Sequence, residues 1–208
     1  TVVPLPLDPL FDPPDAEINV LGEREARQLR SGATELLEAA ETDLSAAGRV
    51  HAALRRMIEA GRLDAVAVRC FDLVTRRRTT GCLALARLND EGVIAGCEGD
   101  LVATLAMLWA HRLLGVLPWM ANPSRLDRAR GRLALAHCTI APSLTRGYRL
   151  RSHFESGLGV GIQGTLPEGP VTLLRLGGER LEELRALDGM LVENTDRPDL
   201  CRTQVEVE

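Results

Sequence analysis

The chain has 208 residues, 45% of them hydrophobic and 26% charged, a balance that fits an ordinary globular protein with room for a full core. A net charge of −4 excludes the concentrated positive surface that nucleic-acid partners require, and 3% aromatic content leaves an aliphatic core and few stacking platforms. All 25 basic residues are arginine, which excludes a Schiff-base lysine and a P-loop lysine within this chain.

Residues 1–15 carry five prolines and read as an extended connection joined into something larger, so the chain is expected to be part of a longer one. Residues 23–60 show helical periodicity. Leu29, Ala33, Leu36, Leu37 and Ala40 share one spacing, and Val50, Leu54, Met57 and Ile58 repeat it after a break at Gly48. Residues 62–71 and 92–97 are short continuous apolar runs, the pattern of strands buried on both faces. Residues 79–89 predict a helix, and Leu101–Leu114 predicts one that is apolar nearly all round. Residues 117–121 and 133–138 predict further strands. The alternation up to Asn122 predicts βαβ units in a parallel sheet.

After Pro142 glycine becomes frequent, and short β-type stretches occur at residues 159–163, 170–176, 190–193 and 202–207. Leu166 and Pro167 open a turn signal completed by Glu168, Gly169 and Pro170. The fold class expected is therefore α/β, with a Rossmann-like parallel sheet carrying helices on both faces over residues 1–142, followed by a β-rich, barrel-like module over residues 143–208.

Glu98 and Asp100 follow the apolar residues 93–95 and precede a helix. In an open α/β sheet, ligands gather at the carboxyl ends of strands. Two carboxylates there can bind a divalent cation or move protons, although Asp100 also suits the helix N-cap. His137 closes the apolar run that ends at Ala136, so parallel strands would bring it to the same edge as Glu98, with a buried core imidazole as the alternative. His153 lies in a polar segment, and His51 and His111 fall within helical patterns and read as structural. Gly157 to Gly164 lacks the following helix that a phosphate cradle needs. The five cysteines are widely spaced and contain no CxxC pair, so reduced thiols and a cytoplasmic protein are expected. Cys97 or Cys138 beside His137 could also suggest a thiol nucleophile. No apolar run approaches a membrane span, and no membrane partner is expected.

Taken together, residues 63–72 (LDAVAVRCFD), 81–90 (GCLALARLND), 95–100 (AGCEGD), 135–139 (LAHCT) and 151–157 (RSHFESG) resemble the L-fucose isomerase family, and more distantly the L-arabinose isomerases. The resemblance covers most of the chain from about Ala46. It implies aldose–ketose isomerisation through an enediol with a divalent cation, typically Mn2+. It also implies a small-molecule sugar substrate and a homo-oligomer. On this resemblance Glu98 matches the family's metal-binding, proton-transferring carboxylate, and Asn122 stands where the second carboxylate is expected. Glu98, Asn122 and His137 form the implied metal set, Glu98 and Asn122 the catalytic pair, and His153 with Arg151 the substrate contacts. Asn122 is a neutral ligand and cannot act as a base. A non-catalytic carbohydrate-binding or regulatory relative is therefore the alternative reading. An enzyme of the same fold acting on another polyhydroxy substrate is a third.

Overall fold

A strongly apolar 14-residue helix, Leu101–Leu114, sits against a two-stranded parallel sheet. The computed structural model describes residues 1–11 and 16–208. In chain order the helices are α1 (Asp8–Phe11), α2 (Ala16–Gly32), α3 (Glu41–Gly61), α4 (Phe71–Arg77), α5 (Cys82–Asp90) and α6 (Leu101–Leu114). The strands are β1 (Leu36–Leu37), β2 (Ala65–Ala67), β3 (Ile94–Gly96), β4 (Asn122–Asp127), β5 (Arg132–His137), β6 (Tyr148–Arg151), β7 (Gly161–Gly164), β8 (Gly169–Gly177), β9 (Glu183–Asn194) and β10 (Thr203–Val207). No helix among the described residues is long and apolar enough to cross a membrane.

The architecture is mixed α/β. Among the described residues, parallel pairing is confined to β2 with β3 and to β1 with β6, and β7 extends the latter pair antiparallel. A second sheet of five strands, in the order β4-β5-β10-β9-β8, is antiparallel throughout. Its end strands β4 and β8 do not pair, so the expected barrel-like module is instead an open sheet. The strand expected at 133–138 is β5. It joins this antiparallel sheet, because its partner is the far C-terminal β10, with His137 opposite Thr203.

Local chemistry accounts for several departures from the periodicity. Leu36 and Leu37 have helical spacing but form β1, since their backbones pair with Leu150 and Arg151. Residues 117–121 form no strand; they run as a connector that buries Met120, and pairing begins only at Asn122. The connection expected over residues 1–15 includes the short helix α1, and residues 12–15 lie outside the described residues.

Gly48 does not interrupt a helix. It lies inside α3, where a β-carbon would stand 2.1 Å from the Gly22 carbonyl oxygen. The two glycines let α2 and α3 approach backbone to backbone. Helix propensity alone would make Gly48→Ala stabilising by about 1 kcal/mol. The backbone clash reverses that sign, and we expect a net loss of about 1–3 kcal/mol, read from urea unfolding. The core is aliphatic, as expected, with Leu44, Leu73, Leu83, Leu85, Leu88 and Ile94 among its fully buried side chains.

Candidate functional site

β3 ends in a tight turn that points one carboxylate out of the core. Glu98 has φ of +60° and Gly99 +67°, both left-handed, and at Glu98 a side chain tolerates a conformation usually left to glycine. Two backbone bonds close the turn: Gly99 N–H donates to Val68 O at 3.0 Å, and Asp100 N–H to Cys97 O at 3.0 Å. Asp100 then caps α6, its Oδ1 accepting from Ala103 N–H at 2.8 Å. The two acids thus divide their roles. Asp100 satisfies the helix start and Glu98 is left for the site.

Asn122 and His137 meet Glu98 from the other sheet. Asn122 Nδ2 donates to Glu98 Oε1 at 3.3 Å, and His137 Nε2 lies 3.6 Å from the same oxygen. They reach it from the start of β4 and the end of β5, which pair antiparallel. His137 is 2% exposed; its Nδ1 lies 2.9 Å from Thr139 Oγ1, and its Nε2 has no hydrogen-bond partner. The nearby imidazole holds the Glu98 carboxyl below the usual carboxylate range, against the opposing effect of partial burial. Burial works against charge on His137, but the Glu98 carboxylate beside it favours the imidazolium, and the imidazole is pushed up.

Glu98 and Asn122 line a cavity of about 140 Å³ together with Phe71, Ser124, His153 and Phe154, among others, and buried His137 stands behind Glu98. His153 Nδ1 lies 3.1 Å from Ser156 Oγ, and the His153 ring stands edge-on to Phe71 with centroids 6.1 Å apart. Arg151 is not brought to this cavity. Its guanidinium is engaged by Glu38, by Asp196 at 3.1 Å and by Gln163 at 3.3 Å. Arg202 joins the same cluster, donating to Ser152 O at 2.7 Å and to Glu38 at 3.2 Å. This network braces the backbone that carries His153. Ser124 gave no signal in the sequence, and Phe71 and Phe154 stood only inside the resembling stretches 63–72 and 151–157, with nothing in their spacing to link them to Glu98.

A second group with metal-binding capacity lies at the junction of α2, α3 and α5. Glu25, His51 and Glu91 offer ligand atoms within 4.8 Å of one another. The Arg87 guanidinium lies among them, with Nε 3.0 Å from Glu25 and 3.2 Å from Glu91, and Arg55 holds Glu91 at 2.6 Å. The sequence gave His51 a structural reading, and its proximity to two carboxylates from distant segments was invisible there.

No family model matches the chain. It is 28% identical over 173 residues to a sulfoquinovose isomerase of Clostridium sp. (strain MSTE9), an alignment covering 74% of this chain and 39% of that protein. It is 25% identical over 129 residues to the sulfoquinovose isomerases of Priestia aryabhattai and Priestia megaterium, covering 59% of this chain and 29% of theirs. The chain therefore spans well under half the length of these curated relatives. The likeness is to sugar isomerases, and not specifically to L-fucose isomerases.

Proposed function

We propose that this chain forms part of a sugar isomerase that interconverts an aldose and its ketose, with Glu98 as the proton-transferring carboxylate. The observation that carries the reading is buried His137, whose Nε2 makes no ordinary hydrogen bond and faces, at 3.6 Å, the carboxylate of Glu98 that lines a cavity. A buried imidazole nitrogen without a partner beside a carboxylate fits a cation between them. Glu98, His137 and the Asn122 carbonyl oxygen would hold it, and Mn2+ or another divalent ion suits that mixed donor set. Such a cation, when bound, polarises adjacent carbonyl and hydroxyl oxygens of a sugar.

The chain's own residues supply the rest. Glu98 removes the proton from the carbon beside the carbonyl and returns it to the neighbouring carbon, and its low pKa keeps it ionised for the first step. The Asn122 amide orients the carboxylate through its hydrogen bond. His153, set against Phe71, forms a wall from which it contacts substrate hydroxyls. Arg151 acts behind it as a positioning residue through Glu38. The relatives' name makes sulfoquinovose the first substrate to test. A homo-oligomer is supported by the exposed apolar row Leu101, Leu105, Trp109 and Leu113 on α6, and a cytoplasmic location by the free thiols.

The alternative, a non-catalytic relative, is favoured by a single observation: Asn122 contributes no charge. Calorimetric Mn2+ titration and an aldose–ketose assay of the protein separate the two. The isomerase reading expects metal binding and turnover in the wild type. It also expects Asn122→Asp to bind Mn2+ about tenfold more tightly through an added charged oxygen. Absence of both metal binding and turnover in the wild type overturns it.

A further inference from the structure

The five cysteines of the chain, far apart in sequence, form a row of contacts that runs from beside the Glu98 turn to the cavity lining. Each is a free thiol, and only Cys201 is not fully buried. The sulfurs of Cys70 and Cys97 lie 3.0 Å apart. From Cys97 the thiol contacts continue to Cys82, then Cys138, then Cys201. This is a row of neighbours rather than a chelating set. Among the described residues the one group of three metal-capable side chains with converging ligand atoms is Glu25, His51 and Glu91, which contains no cysteine.

The closest pair has a backbone reason to meet. β2 and β3 run side by side, with Ala67 opposite Gly96. The Val68 carbonyl accepts from Cys70 N–H at 2.9 Å and from Gly99 N–H at 3.0 Å. The start of α4 and the Glu98 turn are thereby tied to one oxygen, and the two sulfurs face each other beneath them. A disulfide has its sulfurs about 2.05 Å apart, so closing the pair asks for a movement of about 1 Å.

We propose that Cys70 and Cys97 form a reversible dithiol–disulfide pair, and that its closure locks the turn carrying Glu98. The oxidant class is a small-molecule disulfide. One of the two sulfurs, as thiolate, attacks the external disulfide and releases one thiol. The other cysteine sulfur then attacks the resulting mixed disulfide and releases the second thiol. The protein loses two protons and two electrons, and the external disulfide gains them. In a reducing compartment the pair stays open and closes only under oxidative load. Cys97 is bonded directly to Glu98, and Cys70 to Phe71, which lines the same cavity. Closure therefore cross-links two walls of the site. The consequence for turnover rests on the isomerase reading, whereas the bond itself does not.

The test treats the wild-type protein with excess oxidised glutathione, followed by peptide mapping without reductant and hydrogen exchange of the turn amides. We expect a cross-linked peptide pair containing Cys70 and Cys97, a mass loss of about 2 Da reversed by dithiothreitol, and about tenfold slower exchange at the Gly99 amide. Cys201→Ser should keep the cross-link and Cys70→Ser should abolish it. Four results overturn the proposal. These are no mass change, a glutathione adduct that never closes, a bond joining Cys138 to Cys201 instead, or a Cys70–Cys97 bond that leaves Gly99 exchange unchanged. None of these readouts uses isomerase activity, so a wrong isomerase reading would leave this outcome intact.

Discussion

Replacing Glu98 with Gln is expected to lower isomerase turnover by about 10²–10⁴-fold, the range a positioned acid–base group contributes. The amide has nearly the same shape and keeps a carbonyl oxygen toward Asn122 Nδ2, but it cannot accept a proton from carbon. The side chain is 39% exposed and the turn is closed by backbone bonds, so folding should survive. Steady-state kinetics with a melting curve for each protein check the result. The reading requires turnover to collapse while the melting temperature stays within a few degrees. Unchanged turnover removes Glu98 from the mechanism.

The second large effect belongs to Glu91, at the helix junction and outside the cavity lining. Burial alone would raise this carboxyl, but His51, Arg55 and Arg87 outweigh it and hold it at about 2, against an ordinary value of 4.5. A carboxyl whose pKa falls on folding stabilises the fold in full above its unfolded value, and that contribution disappears as pH drops through the folded value. Glu91→Gln should therefore destabilise the protein near neutrality by on the order of 3 kcal/mol, because two arginines lose their shared partner. The difference from wild type should shrink between about pH 4.5 and pH 2. Urea unfolding at a series of pH values measures it. A difference that stays constant down to pH 2 would show that Glu91 contributes by packing rather than by charge.

The elements legible in the sequence are those whose stability is local. α6 could be placed because its apolar residues are continuous and Asp100 supplies its cap. β3 could be placed because Ile94, Ala95 and Gly96 are all buried. What was illegible depends on distant partners. β1 is two residues long and exists only through β6, and β4 is mostly exposed and has no apolar alternation to betray it. Gly48 looked like a helix break because glycine carries no sign of the neighbour it makes room for.

The site shows the same limit. Glu98 and His137 each close an apolar run, which marked them as candidates. The route that joins them is not the single parallel sheet the pattern suggested. Arg151 sits in the same short motif as His153, yet its charge is spent on Glu38 and Asp196. Whether a polar side chain faces a cavity or an internal counter-ion is settled by residues far away in the chain.

Glu98 belongs to the small parallel pair, and Asn122 and His137 to the five-stranded antiparallel sheet. The gap between His137 Nε2 and Glu98 Oε1 is thus a gauge of how the two sheets sit against each other. Neither sheet holds Glu98, Asn122 and His137 by itself, so the three meet only where both are docked. A sideways movement of one sheet by about the width of an atom would leave every strand intact and still part these three side chains.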